Sequence, residues 1–594
     1  MRAGKPLDVG SGVVAASFDA DTASWLSIGA PHVGIGFVEL SGMPAFDESL
    51  RGDPLATRAW RRDLARVEHA FLVVEVDGAM PKLEPDLTDP CAPTWVGDEV
   101  DVRAWAPAGG SSVRQRWRVS ASGRGRSLRI RLGGTLDRPA LAEITEVDPP
   151  SPTGSVTRIT ADGAVARLSA AAVNATATAE LGISNGSIGW TAFGERLVAE
   201  ATCPAGDEVE IEIRAGVGAD ADPSPVGGER WTGDRLTDRA LAYVRGCTAL
   251  RVGSGERVIL TDHRLLPLSW TRDAYWQALA LLAADAPRDR DRVADHLRWL
   301  WLRCERPDGV WVRSHHADGR RKDRAFQADQ QLYPFLELAD HVRFTGAPPA
   351  GVRWDELVPR AWAATVRRVD RTTGLIASHE TAADDPVEAP FLAAAQVLLW
   401  YTSERLAEMA QEHPIGLDAS DLWRMADDVR RAFARGHASA EAPWAYAVGG
   451  DGRRIRYHDA NDLPIAFAPL WGFCAPDDPG WQATIRFAFG PANAGWFAGR
   501  RSGLGSAHTP RPWPLGDVQA WVAARTVGDL AAAAAALARL QEVAYDDGML
   551  PEAYGADDDV RVRQWFAWPG AVLGAVRMLD ADARLEPMLR VSRR

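Results

Sequence analysis

The chain has 594 residues, of which 46% are hydrophobic and 25% charged, an ordinary globular balance that excludes general disorder. With 67 Lys and Arg against 80 Asp and Glu, the formal net charge is −13 and no basic run stands out, which argues against nucleic-acid binding. No apolar stretch reaches the roughly 18 residues of a membrane helix, and we expect neither a signal peptide nor a membrane partner. Five cysteines without a CxxC pair fit free thiols and a cytoplasmic protein.

The first part of the chain alternates hydrophobic and polar residues. From Val13 to about Gly216, short runs with a period of two are separated by Gly, Ser, Pro and Asp. This pattern predicts an antiparallel β-sandwich over residues 1–217. A stretch rich in Gly, Asp and Pro follows, which indicates a linker at residues 218–232.

In the remaining residues, 233–594, the hydrophobic period changes to 3.6, with about twelve amphipathic segments. Examples are residues 278–285, 291–304, 330–342, 391–409 and 529–543. About twelve helices make six helical hairpins, and the chain lacks the fixed-period repeat of the rival solenoid architecture. We therefore predict an all-α (α/α)6 toroid with loops at one end forming a pocket.

Several predicted helix connections are longer than the usual 2–8 or so residues and carry polar and aromatic side chains. Arg272 and Asp273, beside Trp270, are suited to hydrogen-bond the hydroxyls of a sugar. Each connection also has a plain interpretation as a capped helix start or a solvated turn, and we expect most of the 24 tryptophans to fill the core. The connections are residues 269–277, 324–331, 378–390, 458–464, 503–510 and 546–554, the last followed by 564–569.

Carboxylates concentrate in these connections. Four of them crowd residues 378–390, and mutual repulsion raises the pKa of some members of such a group, as a general acid requires. Residues 503–510 lack the spacing of a serine hydrolase or a phosphate loop, and no zinc or calcium pattern is found, so we expect no metal or cofactor. Two carboxylates on either side of a bond are the usual chemistry of glycoside hydrolysis.

Six segments, in order, resemble glycoside hydrolase family 125, the exo-α-mannosidases with an (α/α)6 fold. The resemblance covers essentially the helical region and excludes the β-domain. A β-domain before such a toroid is instead similar to bacterial glucoamylase-type family 15 enzymes and to the inverting disaccharide phosphorylases. The six segments are SWTRDAYWQ, FQADQQLYPFLELADHVRFTG, TAADDPVEAPF, HDANDLP, GLGSAHTP and GMLPEAY with RQWFAWPGAV.

The resemblance implies that Glu552 is the general base, and the likeness to family 15 agrees. Gln327 stands where family 125 has its general-acid Glu, and an amide cannot donate that proton. Similarity to family 15 assigns the acid role to Glu380, which we favour. The competing acids are Asp384, which the similarity to family 63 favours, Asp385 and Asp329.

The sequence thus predicts an inverting, exo-acting hydrolase that removes a terminal α-mannoside-type or α-glucoside-type sugar from an oligosaccharide or glycoconjugate. The acid and base carboxylates are expected to lie about 6.5–9.5 Å apart, with room for a water between them. An inverting glycoside phosphorylase, a polysaccharide lyase and a non-catalytic carbohydrate-binding protein remain alternatives, and the oligomeric state is open. The residues expected to bind the sugar are Trp270, Arg272, Asp273, Gln327, Asp459, Asn461, His508 and Trp565.

Overall fold

A computed structural model describes residues 5–50, 53–139, 155–218, 229–253, 255–438 and 442–591. The chain divides into two compact units. The first comprises Met1–Gly228, Leu241–Ser269 and His316–Arg320, and the second comprises Glu229–Ala240, Trp270–His315 and Arg321–Arg594. Residues 219–228 of the predicted linker lie outside the described residues, and the boundaries at 217 and 233 stay predictions.

The first unit is built mostly from β-strands, with one α-helix, α1 (Pro54–Asp63), in the connection after the fourth strand. The strands are β1 (Leu7–Gly10), β2 (Ala15–Phe18), β3 (Trp25–His32), β4 (Gly36–Ser41), β5 (Leu72–Val76), β6 (Glu84–Asp86), β7 (Thr94–Gly97), β8 (Val100–Trp105), β9 (Ser112–Ser120), β10 (Arg126–Leu132), β11 (Thr135–Asp137), β12 (Thr157–Asp162), β13 (Val165–Ala170), β14 (Ala175–Ile183), β15 (Thr191–Phe193), β16 (Arg196–Cys203), β17 (Glu208–Val217), β18 (Ala249–Val252), β19 (Glu256–Ile259) and β20 (Leu268–Ser269).

Two large antiparallel sheets share one hydrophobic core. One runs in the order β1-β2-β3-β5-β10-β16-β15, with β4 between β3 and β11, and the other in the order β12-β13-β14-β17-β9-β8-β7-β6. Trp25 from the first sheet and Trp117 from the second both donate indole hydrogen bonds to the side-chain oxygen of Gln115, at 2.6 and 2.9 Å. The prediction of antiparallel sheets in the N-terminal part is confirmed, and these tryptophans are core residues.

The second unit is mostly helical. The helix α2 (Arg235–Tyr243) begins in it and ends in the first unit. The further helices are α3 (Thr271–Ala284), α4 (Pro287–Leu302), α5 (Ala328–Thr345), α6 (Trp354–Val366), α7 (Ala393–Glu412), α8 (Ala419–Gly436), α9 (Leu463–Trp471), α10 (Pro479–Ala488), α11 (Pro514–Val527), α12 (Leu530–Val543), α13 (Ala567–Ala581) and α14 (Leu585–Leu589). The short strands are β21 (His315–His316), β22 (Phe391–Leu392), β23 (Ala447–Val448), β24 (Arg454–Ile455), β25 (Trp496–Phe497), β26 (Gly503–Ser506), β27 (Arg511–Pro512), β28 (Ala553–Tyr554) and β29 (Arg561–Val562).

The predicted helical segments all overlap observed helices. The segment predicted at 391–409 begins two residues later, at Ala393, because Phe391 and Leu392 pair with β23 as a strand. Side chains of α3 are buried all round, whereas α8 buries one stripe that includes Leu422, Ala426 and Val429, at helical spacing. The helical periodicity of hydrophobic residues is therefore clearer in α8 than in α3.

Six alternate helices of the second unit pack in a closed order. Each of α3, α5, α7, α9 and α11 contacts the next, α11 also contacts α13, and α13 packs against α3. The loops before α3, α5 and α7, together with the first turns of α3 and α5, carry most of the predicted acid and sugar-binding residues. In the described part of the chain, no helix combines the length and apolar character needed to cross a membrane.

Candidate active site

Arg272, in the first turn of α3, lies at the centre of the buried part of the site and contacts most of its carboxyl groups. Its guanidinium is 5% exposed and lies over the ring of Trp568 at 4.7 Å. A buried cation needs anionic or hydrogen-bonding partners, and this one has four. They are Asp329 at 3.2 Å, Gln327 at 3.3 Å, Asp384 at 3.5 Å and Asp273 at 3.6 Å.

Burial raises the pKa of two of these carboxyl groups. The pKa of Asp273 rises to about 6, although Arg272 acts in the opposite direction. The pKa of Asp329 is also raised by burial against the opposing effect of Arg272. Asp329 lies in the first turn of α5, where the helix dipole favours a negative charge.

Gln327, the residue before α5, connects Arg272 to the loop at 378–390. Its side-chain oxygen accepts from Arg272 and from Gln330, and its amide nitrogen donates to Asp384 at 2.6 Å and to Glu380 at 3.2 Å. Gln327 is fully buried with all these bonds made. Gln327 therefore places an amide where it orients two neighbouring carboxyl groups.

Asp384 has a left-handed backbone conformation, with φ of 67°. Aspartate is one of the few residues that tolerate this region, and here the turn directs the carboxylate inward. The Trp270 indole donates to Asp384 at 3.1 Å, in addition to the bond from Gln327. The hydroxyl of Thr381 accepts from the backbone N–H of Asp385 at 3.3 Å and thus closes the turn.

Glu380 and Asp384 share the Gln327 amide but have opposite pKa shifts. Burial raises the pKa of Glu380 to about 7, because the repulsion from Asp384 and Asp323 offsets part of the attraction of Arg313. For Asp384 burial acts in the same direction, but Arg272 and Arg313 outweigh it and lower the pKa below its ordinary value. Near neutral pH, Glu380 therefore exchanges a proton while Asp384 stays ionised.

Arg313 contacts Glu380 and is itself paired with Asp323. Arg313 Nη1 lies 3.3 Å from both carboxyl oxygens of Glu380, and its Nη2 lies 2.9 Å from Asp323. Because Asp323 shares the guanidinium charge, Arg313 orients Glu380 without fully suppressing its protonated form.

Glu552 lies in a second group of polar residues. The hydroxyl of Thr509 donates to its Oε1 at 2.9 Å, and Arg563 Nη1 donates to its Oε2 at 3.1 Å. Arg563 in turn lies over the Phe566 ring at 4.2 Å, and its own backbone has φ of 56°. Both carboxylate oxygens are thereby fixed in direction, and the Glu552 side chain is 5% exposed.

His508 and Asp273 each interact electrostatically with both groups of polar residues, the one around Arg272 and Asp384 and the one around Glu552 and Arg563. His508 Nδ1 lies 3.1 Å from Asp385 Oδ1. Burial lowers the pKa of His508, but the bond to Asp385 and the charges of Glu552 and Asp384 raise it above its ordinary value overall. Asp273 is influenced by Arg563 as well as by Arg272. Glu552 therefore lies within electrostatic range of the loop that carries Glu380.

The side chains of the site differ in solvent exposure, and Arg272 and Glu552 are the least exposed of those compared. The Glu380 side chain is 14% exposed, Asp384 is 23%, His508 is 25% and Asp385 is 39%. The accessible residues are thus those that a ligand would meet first, and the carboxylates below them are sheltered from water. This arrangement suits a terminal group that enters from one side.

Asp459, Asn461 and Trp565 are buried. Asp459 accepts from the Asn461 amide at 2.7 Å and from the Tyr457 hydroxyl at 2.7 Å, and the same hydroxyl accepts from the backbone of Ala507. These bonds support the loop that carries His508. Trp565 has 0% exposure, and its role in sugar binding stays a prediction.

Sequence reasoning missed several residues that act on the site. Thr509 lies inside one of the segments chosen from the sequence, and Asp323 and Arg563 each immediately precede such a segment. Arg313 lies in a segment without any signal. They were missed because ion pairs between remote segments leave no local pattern.

Residues 359–578 match the family of metal-independent alpha-mannosidases, glycoside hydrolase family 125. This range includes Glu380, Asp384, His508 and Glu552 but not Arg272. No curated protein sequence matches the chain.

Two solved structures extend the comparison. One is a Streptococcus pneumoniae metal-independent alpha mannosidase in a non-productive complex with alpha-1,6-mannobiose, with a TM-score of 0.50 and 20% identity over 58% of this chain and 93% of that chain. The other is a bacterial glucoamylase complexed with acarbose, with a TM-score of 0.60 and 12% identity over 99% of this chain and 95% of that chain. The chain is thus a glycoside hydrolase. Its resemblance to family 125 is confirmed over residues 359–578.

Proposed function

We propose that the chain is an inverting, exo-acting glycoside hydrolase in which Glu380 is the general acid and Glu552 the general base. The observation that carries the choice of Glu380 as the acid is the contrast with Asp384: the pKa of Glu380 is raised to about 7, and that of Asp384 is lowered. The choice of Glu552 as the base is supported by its two fixed carboxylate oxygens. An inverting hydrolase needs one protonated and one ionised carboxyl group on opposite faces of the sugar. Arg272 helps to keep Asp384 ionised, so Asp384 is a poorer proton donor than Glu380 near neutral pH. The pKa of Asp329 is raised as well, but its carboxyl group accepts a hydrogen bond from Arg272.

In the proposed reaction, the Glu380 proton passes to the glycosidic oxygen as the bond to the anomeric carbon breaks. Glu552 takes a proton from a water that attacks that carbon from the other face, so the released sugar has the inverted configuration. Each turnover leaves Glu380 ionised and Glu552 protonated, and exchange with solvent restores both. Thr509 and Arg563 would hold Glu552 in the orientation needed to deprotonate the water.

Sugar binding is proposed at the residues around Arg272. The Trp270 ring, the Arg272 guanidinium and the carboxylates of Asp273, Asp384 and Asp385 offer an apolar face together with hydrogen-bond donors and acceptors. We further propose that the closed order of six helices is the inner layer of an (α/α)6 toroid, with this site at one end.

The proposed substrate is an oligosaccharide or glycoconjugate that ends in an α-mannoside or α-glucoside. The names of the two similar proteins, an alpha mannosidase and a glucoamylase, support this range of substrates. We also propose a cytoplasmic location, which is supported by the five cysteines of the sequence, an odd number without a CxxC pair.

The decisive experiment follows hydrolysis by NMR. Wild type and Glu552→Gln are incubated with aryl and natural α- and β-glycosides, with and without phosphate, and the anomer released first is identified. Glu542→Gln, which changes an exposed glutamate on α12, is the matched control. We expect an inverted free sugar from wild type and control, independent of phosphate, and a loss of about 10²–10⁴-fold in Glu552→Gln.

Other outcomes would contradict the proposal in distinct ways. Release only with phosphate would indicate a phosphorylase, and a retained anomer would exclude the proposed displacement. Binding without any release would indicate a carbohydrate-binding protein.

A further inference from the structure

A second pocket lies in the first unit, among residues with no role in the proposed reaction. It is formed by β4, β11 and the connection between β4 and β5, which carries α1. Its volume is about 130 Å³, close to the roughly 150 Å³ of an engineered cavity that binds one benzene molecule, so it suits one small ring rather than a chain of them. Its lining residues include Glu39, Phe46, Trp60, Arg61 and Ser155.

The charged groups at this pocket are balanced. Glu39 is 2.5 Å from Arg264 and 3.6 Å from Arg61, and although burial raises its pKa, the two arginines lower it below the ordinary value. Asp262, which also acts electrostatically on Arg61, accepts three backbone N–H groups from residues 264–266. Arg61 and Arg264 are thus matched by two carboxylates, and Asp137 and Arg138, which also line the pocket, add one charge of each sign. Nothing here requires a charged ligand.

Two polar atoms at the pocket lack hydrogen-bond partners within the described residues. They are the Ser155 hydroxyl oxygen and Arg61 Nε, on residues that are 9% and 4% exposed. A buried polar atom without a partner costs free energy, so such atoms favour a ligand that can both accept and donate hydrogen bonds. Hydroxyl groups do both.

The outer wall of the pocket is aromatic. Phe46 and Trp60, both half-buried, meet edge to face with ring centroids 5.4 Å apart. Flat aromatic surface next to a few fixed polar groups is how proteins recognise sugar rings. We propose that this pocket binds one neutral sugar ring, at a site made of different residues from the candidate active site.

Indole NMR of the full chain tests this proposal. The background is Glu552→Gln, and the indole resonances of Trp60, Trp270 and Trp231 are assigned by their loss in the corresponding Trp→Phe variants. Methyl α-mannoside and methyl α-glucoside are titrated, with sulfate as an anionic comparison. We expect a saturable shift of the Trp60 resonance with at least one sugar, none with sulfate, and an unchanged Trp231 resonance.

A variant of the polar wall adds a second readout. Ser155→Ala should weaken sugar binding at Trp60 by about 2- to 10-fold, because one hydrogen bond is lost, while the Trp270 titration stays unchanged. A Trp60 resonance that does not move, or that moves only with sulfate, overturns the inference. If the Trp270 resonance then still responds to sugar, the proposed function survives; a response at Trp60 alone supports this pocket and counts against the candidate active site.

Discussion

Replacing Arg313 by Gln should move the alkaline limit of activity to higher pH. In the proposed reaction Glu380 must be protonated to donate its proton. The pH dependence of kcat/KM reports the ionisation of the free enzyme, so kcat/KM should fall as the pH rises through about 7. Arg313 favours the ionised form of Glu380 from 3.3 Å. Removing this cation favours the protonated form and raises the pKa of Glu380 further.

The size of the shift follows from the distance between the charges. Two unit charges at 3.3 Å interact by about 1.3 kcal/mol in water, which is about one pKa unit, and by more at the lower effective dielectric of a sheltered site. We therefore expect the limit to rise from about 7 to about 8 or above. With an ordinary pKa of 4.5, Glu380 would be protonated in only about 1 of 300 molecules at pH 7. The rise in pKa caused by burial is therefore what allows Glu380 to act as an acid at this pH.

The assay is kcat/KM against an aryl glycoside between about pH 5 and 9. Arg313→Lys keeps the charge and is the matched control, Glu380→Gln should abolish the limit, and Asp384→Asn should move it to lower pH because a neighbouring anion is lost. Thermal unfolding shows whether each variant is folded. An alkaline limit that stays in place or moves down in Arg313→Gln would refute the assignment of Glu380 as the acid.

Three further predictions test other parts of the structure. Gln327→Leu should lower kcat about 2- to 10-fold and raise the alkaline limit, because Glu380 loses an amide donor; an unchanged kcat would refute the orienting role. Thr509→Val should lower kcat about 10-fold or more by releasing Glu552, measured on the same substrate, and wild-type activity would show that the bond is dispensable. Burial raises the pKa of Glu337 well above 4.5, so the folded state retains a proton that the unfolded state loses. In urea titrations, Glu337→Gln should therefore gain about 1.4 kcal/mol of stability over wild type per pH unit above 4.5, up to the raised pKa, and a constant difference would contradict this.

Much of the architecture was predictable because hydrophobic periodicity is a local property. The period of two indicated antiparallel sheets before residue 217, and the period of 3.6 indicated helices after 233. The exact starts were less predictable: Phe391 and Leu392 continue the hydrophobic pattern of α7 but form a strand, because β23 supplies partners for their backbone groups.

The candidate site was predictable where its residues lie close in sequence. The loop at 378–390 and the segment before α3 were singled out as sequence motifs, and the structure brings Trp270, Arg272 and Asp384 into contact. Trp565 was chosen for the same kind of reason, yet it is fully buried. The type of a residue and the residues next to it in sequence do not determine whether its side chain is exposed to solvent.

By itself, then, the sequence determined the two structural classes, the resemblance to family 125 and a short set of carboxylates. Only the tertiary structure decided which carboxyl group stays protonated near neutral pH. Glu380 and Asp384 are four residues apart and share one amide, but Arg272 lies against Asp384 whereas Asp323 competes for Arg313 beside Glu380. A pKa depends on burial and on charges within a few ångströms, and here those charges come from segments that the fold alone brings together.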